Sequence, residues 1–199
     1  MNLNDEQQLT AGRQNYFLVG APCFDNVQIE RLKALVDQQS EQAEVHQAGM
    51  ESVTGSHYET GRRTQVRFLT PQEHGWVYDI LTECFRAANQ ELRYEIGSDI
   101  HDVVQLLRYD AEEAGHFRWH ADTLPSDMTR KISMTVPLNS PDEYEGGQLQ
   151  FLQGGVVAAV VQRPGHPVAF PSWLVHQVTP VTRGRRYALV SWMRGPNWR

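Results

Sequence analysis

The sequence predicts a mainly β protein with flanking α-helices, an antiparallel sandwich or barrel whose one outer face is covered by two amino-terminal helices. Three observations carry this. From residue 99 onward, short runs rich in β-branched and aromatic residues recur at intervals of about ten residues. Turn signals separate them, and no helical period intervenes. Ahead of residue 98, by contrast, apolar residues fall at helical spacing in two places.

In chain order, residues 1–15 are polar and carry no pattern. Val27, Ile29, Leu32, Leu35 and Val36 then mark one face of a first helix, with Asp25 or Asn26 as its N-cap. The stretch from Glu41 to Arg63 is rich in Gly, Ser and Gln and reads as loop. Pro71 suits the first turn of a second helix, whose stripe is Trp76, Val77, Ile80, Leu81, Cys84, Phe85 and Ala88, ending near Leu92. Strands are expected at Val103–Tyr109, His116–Ala121, Lys131–Leu138, Gln148–Leu152, Val156–Val161, Pro167–Phe170, Gln177–Val181 and Tyr187–Trp192. Between them lie Ala114-Gly115, Asn139-Ser140-Pro141, Gly146-Gly147, Gly154-Gly155, Pro164-Gly165 and Arg183-Gly184, all expected as turns. The expectation is thus one structural domain, in which a helical and loop part (1–98) packs on a β core (99–199). No carboxy-terminal recognition domain is expected beyond the last strand.

Composition narrows the function. With 199 residues, 18 basic and 24 acidic, the formal charge is −6, which argues against a nucleic-acid partner held by bulk charge. The two cysteines, Cys23 and Cys84, exclude a disulfide framework and a cysteine zinc site. The amino end is polar and acidic, unlike a signal peptide, and no apolar run approaches the ~20 residues of a membrane span. A cytoplasmic protein with no membrane partner is expected. No coiled-coil seam or interface patch stands out. The eight histidines are many for this length.

The chemistry begins at His120-Ala121-Asp122. On a strand, residues two apart share a face, so an imidazole and a carboxylate can converge on one ion. His176 adds a second imidazole ahead of a later strand. Two histidines and one carboxylate can occupy one face of an octahedral ion, as in non-haem Fe(II) oxygenases, or complete most of a tetrahedral zinc site. Arg186 lies ten residues after His176. An inward arginine in an apolar barrel is costly without a carboxylate. A dicarboxylic cosubstrate supplies one, with a keto-acid end for the metal and a distal carboxylate for a bidentate guanidinium. Arg183 and Arg185 read instead as solvated turn residues.

This constellation, His120-x-Asp122, His176 and Arg186, resembles the 2-oxoglutarate- and Fe(II)-dependent dioxygenases of the prolyl 4-hydroxylase type, including the bacterial PKHD-type hydroxylases. Flanking residues share the likeness. Arg108-Tyr109 is similar to the family's Arg-Tyr approach strand, and Tyr144-Glu145-Gly146-Gly147-Gln148-Leu149 to its Tyr-x-Gly-Gly-Glu-Leu turn. Phe170-Pro171-Ser172 through His176 to Arg183-Gly184, with Trp192 beyond, resembles the distal-histidine segment. The likeness covers about residues 100–194.

The resemblance implies a double-stranded β-helix (jelly-roll) core. It implies Fe(II) on His120, Asp122 and His176, 2-oxoglutarate as cosubstrate with its distal carboxylate on Arg186, O2 as oxidant and ascorbate as reductant. No catalytic residue beyond the metal centre is implied. Oxidative decarboxylation to succinate and CO2 would accompany hydroxylation of an amino-acid or peptidyl side chain, proline being the family-weighted choice. Animal prolyl hydroxylases place a tyrosine ahead of the Leu-Asn pair as a second cosubstrate partner. Met134-Thr135-Val136-Pro137-Leu138-Asn139 has none here, leaving Thr135, Ser133 or Tyr109 for that role.

His116 and Arg118 share strand parity with His120 and are candidates for the substrate mouth, although a bulge would reverse that; Trp173 is a third. His46, His57, His74, His101 and His166 lack any partner pattern. Specificity is expected in the polar stretches Gly49–Arg63 and Thr123–Arg130. Two other readings share the ligand set: a nucleobase dealkylase, disfavoured by the charge, and a non-catalytic barrel that holds metal and dicarboxylate.

Overall fold

The computed structural model describes residues 16–38, 40–42, 61–123 and 127–198. Helix α1 (Asn26–Gln38) opens with a reciprocal cap: the Gln28 backbone N–H donates to Asp25 Oδ1 (2.8 Å) and the Asp25 N–H to Gln28 Oε1 (2.9 Å). It buries Ile29, Leu32 and Val36. Helix α2 (Pro71–Leu92) has its proline in the first turn, ends at Arg93 in the left-handed region, and buries Val77, Tyr78, Leu81 and Phe85.

The strands form two sheets. The larger contains β1 (Leu18–Val19), β2 (Glu41–Gln42), β4 (Gln65–Leu69), β5 (Val104–Asp110), β7 (Arg130–Pro137), β8 (Tyr144–Gly146), β11 (Val168–Pro171) and β13 (Val181–Arg194). Its order is β1-β11-β7-β13-β5-β4-β2, with β8 paired to the start of β13. The smaller contains β3 (Arg62–Arg63), β6 (His116–His120), β9 (Leu149–Gln153), β10 (Val156–Ala159) and β12 (His176–Val178), in the order β10-β9-β12-β6-β3. All pairings are antiparallel, so the fold is the mainly β jelly-roll with two helices.

Alternation along the strands divides the core into two layers. Val104 and Leu106 of β5, Ile132, Met134 and Val136 of β7, and Leu189 and Met193 of β13 meet the two helices. Leu107 and Tyr109, Leu149 and Phe151, Phe170 and Val178 fill the space between the sheets. Ser133, Thr135, Arg186 and Trp192 fall on the inner parity of the larger sheet, which puts polar chemistry inside the sandwich. No helix among the described residues is long and apolar enough to cross a membrane.

Three expectations change. Arg183-Gly184 is no turn: β13 runs unbroken from Val181 to Arg194, its pairing with β8 shifts register between Val181 and Arg183, and Gly184, at φ 70°, pairs with Tyr144. The residues between the second histidine and Arg186 are therefore largely one strand. Arg62–Arg63, read as loop, forms β3 on the edge of the smaller sheet, and Gln65–Leu69, not anticipated, forms β4 in the larger. Glu41–Gln42, also read as loop, pairs with β4. Most of the expected specificity stretch at 49–63, and residues 124–126 of the other, lie outside the described residues.

Candidate metal centre and cosubstrate pocket

His120 ends β6 and His176 begins β12, and the two are direct cross-strand partners. Directly paired residues share a sheet face, so both rings turn inward, their centroids 4.2 Å apart. The chain then bends, and Asp122 is fixed by its backbone N–H donating to Ser172 O (2.9 Å). This brings Asp122 Oδ1 to 3.6 Å from His120 Nε2 and Oδ2 to 3.7 Å from His176 Nε2. One ligand atom from each of the three residues lies within 4.8 Å of the other two.

The orientation of each donor has its own cause. His120 Nδ1 sits 2.7 Å from Arg118 O, and His176 Nδ1 2.9 Å from Leu174 O. A carbonyl can only accept, so each Nδ1 carries the proton and each Nε2 presents its lone pair to the shared space. Burial, helped by the facing His176 ring, pushes the His120 imidazole down to about 4, keeping it neutral near neutral pH. Burial opposes the Asp122 charge, but the two imidazoles and the Ser133 hydroxyl outweigh it and hold the carboxyl below its usual range. Ser133 Oγ donates to Asp122 Oδ2 at 2.6 Å and lies 3.0 Å from Ser172 Oγ. Two imidazoles and one carboxylate, each oriented by a second contact, fit a divalent ion with open positions beside them.

Arg186 lies across the cavity. It is only 2% exposed and sits opposite Tyr109, with its guanidinium carbon 5.1 Å from that ring. One Nη2–H···O bond reaches Gln162 Oε1 (2.7 Å), Nε has no partner, and no carboxylate of the described residues pairs with it. Gln162 is oriented in turn, its Nε2 donating to Gly147 O at 3.3 Å. Gly147, at φ 59°, allows this closeness: a Cβ there would stand 2.9 Å from Arg186 Cδ. A buried, partly unsatisfied guanidinium fits a ligand carboxylate. Tyr109 and Thr135, both buried, line the same cavity as His120, Asp122, His176 and Arg186.

The other expected residues are placed differently. The step from His176 to Val178 on β12 matches the longer step from His120 to Phe117 on β6, so β6 carries one extra residue. That bulge reverses the parity, and Phe117 rather than His116 or Arg118 turns inward, its ring stacked on His120 at 3.5 Å. His116 Nδ1 stays 2.8 Å from Ala114 O, outside the cavity lining, as is Arg118. Trp173 is 40% exposed, packs edge-on against Tyr16 at 5.7 Å, and does not line the cavity. Sequence reasoning missed Gln162, Arg62, Gln105 and the Asp122 contact of Ser133. Only Ser133 had a readable signal, its inward parity with Thr135.

Residues 104–194 match the family model described as the 2OG-Fe(II) oxygenase superfamily. With 91 of its 199 residues matched, the chain is similar to that superfamily over its β core. It is similar to a PKHD-type hydroxylase of Pseudomonas putida (strain F1), 34% identical over 99 residues covering 46% of this chain and 44% of that protein. It also resembles a PKHD-type hydroxylase of Shewanella frigidimarina, 41% identical over 94 residues covering 44% and 41%. The chain thus spans less than half the length of these two relatives. In fold it matches a prolyl-4-hydroxylase of Pseudomonas putida (TM-score 0.71, 21% identity, 95% and 97% of the two chains). It likewise matches a Trichoplax adhaerens prolyl hydroxylase solved with a hypoxia-inducible-factor peptide fragment (TM-score 0.69, 15% identity, 98% and 94%).

Proposed function

We propose that this protein is a cytoplasmic Fe(II)- and 2-oxoglutarate-dependent dioxygenase that hydroxylates an amino-acid or peptidyl side chain, with succinate and CO2 as coproducts. Proline is the substrate the relatives' names favour. The observation that carries the reading is the pairing of two features in one cavity: a three-residue donor set at one end and a buried guanidinium without a protein carboxylate at the other.

In this reading His120, Asp122 and His176 hold Fe(II), which supplies the activation of O2 and of the cosubstrate's keto acid. The protein's own part is positioning. Arg186 receives the distal carboxylate of 2-oxoglutarate, and Gln162 fixes the guanidinium plane. Tyr109 and Thr135 line the path between the two ends and offer hydroxyls to the cosubstrate. Phe151, Phe170 and Phe117 pack around the two imidazoles and keep water from them. Ascorbate serves as the external reductant that keeps the metal ferrous.

Anaerobic titration with Fe(II) and 2-oxoglutarate tests this. A weak visible charge-transfer band is expected, and its loss in His176→Ala. No band, or a band that survives in the variant, would overturn the assignment.

A further inference from the structure

The cavity contains a second guanidinium that the mechanism above does not use. Arg62 on β3 stands directly opposite Phe117 of β6, so its side chain enters the sandwich on the face that carries Phe117. Its guanidinium carbon lies 4.9 Å from the Phe117 ring centroid, and that ring is stacked on the proposed ligand His120. Nη2 donates to Gln105 Oε1 at 3.2 Å, while Nε is buried without a partner. Both Arg62 and Gln105 line the cavity of His120, Asp122 and Arg186.

Other arginines near the sandwich differ. Arg108 pairs with Asp37 and Asp110, and Arg130 and Arg194 share Asp102. Arg62 pairs with no carboxylate of the described residues, and burial pulls its pKa below the ordinary arginine value. A half-buried cation with one neutral acceptor and an orphaned N–H is set to gain from an anion. The cosubstrate does not meet this need in the reading above, since its distal carboxylate goes to Arg186 and its keto-acid end to the metal.

Resting on that reading, we infer that Arg62 receives a carboxylate of the substrate to be hydroxylated. The Phe117 ring beneath it supplies an apolar floor leading to the metal. The substrate is then an α-carboxylate compound, either a free amino acid or a residue at the carboxyl end of a peptide, oxidised at a carbon a few bonds from that carboxylate. An internal residue of a long chain lacks the anion and forgoes this contact.

Calorimetry on protein loaded with Mn(II) and 2-oxoglutarate, which does not turn over, tests the inference. The probes are free amino acids against their amides, and short peptides ending in a free or an amidated carboxyl, proline included. The acid is expected to bind at least about 10-fold more tightly than its amide, the scale of one charge-assisted hydrogen bond. Arg62→Gln should bring acid and amide within about two-fold and Arg62→Lys should retain part of the preference, both with 2-oxoglutarate affinity unchanged. Preference for the free amino acid over the peptide acid, or the reverse, tells the two sources apart. Equal binding of acid and amide by the wild-type protein, no acid bound ahead of its amide, or a preference that survives Arg62→Gln would each overturn it. The Fe(II) and 2-oxoglutarate band is read separately, so the dioxygenase assignment can stand while this one falls.

Discussion

The two sheets of the sandwich are built differently. In the larger, β7 is buried from Lys131 through Pro137 because helices cover its outer face and the smaller sheet its inner one. In the smaller, no residue of β6 is fully buried, and β10 is exposed at Val156, Val157 and Ala159. The proposed cosubstrate clamp, Arg186 with Tyr109 and Thr135, stands on the sealed sheet. The proposed ligands His120 and His176, and Arg62 beside them, stand on the open one. The cosubstrate end thus stands on the strands covered on both faces, while the reacting end adjoins the partly exposed β3 and β6, from which a variable substrate can approach.

The largest expected effect strikes the open sheet. His176→Ala removes a donor and should lower Fe(II) affinity by more than about 100-fold, beyond the range seen for outer-shell partners. Equilibrium dialysis reads this, and retained affinity would mean that His120 and Asp122 suffice.

On the sealed sheet, Arg186→Met should raise the dissociation constant for 2-oxoglutarate by about 30-fold or more, as truncating a buried charge pair costs roughly 2–5 kcal/mol. Metal affinity should stay within a few-fold, which sharpens the division between the two ends. Without cosubstrate the same variant is expected to be as stable as the native protein or more so, since it replaces a partly unsatisfied buried cation by an apolar chain. Equal loss of metal and cosubstrate binding would make Arg186 a structural residue.

Ser133→Ala tests the link between the sheets, because this β7 hydroxyl bonds Asp122 Oδ2. Losing an oriented outer contact should weaken the metal by about 10-fold to 100-fold, leaving 2-oxoglutarate affinity nearly intact. An unchanged metal affinity would show that the Ser172 backbone alone positions Asp122.

Much of this was legible because it is local. The Asp25 cap, Pro71 and the 3.6-residue stripes specified both helices, and β-branched runs between turn residues located most strands. His120, Asp122, His176 and Arg186 were singled out by residue type and spacing, and the fold brings all four to one cavity. What escaped depends on pairing. The bulge that turns Phe117 inward in place of His116 exists only in the register of β6 against β12. Arg183-Gly184 read as a turn because glycine is a common turn residue, whereas Gly184 takes its positive φ inside a long strand, where a Cβ would collide with Glu143 O. Arg62 comes to the cavity, and Gln162 to the Arg186 guanidinium, from segments without any pattern of their own, and only tertiary contacts give them a role.

The smallest expected effect lies on the outer face of the open sheet. Leu152 and Val157 pair across β9 and β10 and both point outward, exposed by 40% and 50%. Val157→Lys should therefore change stability by no more than about 0.5 kcal/mol, a shift of roughly 1–2 °C in Tm. A charge on an edge strand also opposes edge-to-edge pairing, so an unchanged elution volume is expected. A loss of several degrees, or a change in apparent size, would mean that this face is covered in solution. The contrast between a sealed and an open sheet would then hold only for the isolated chain.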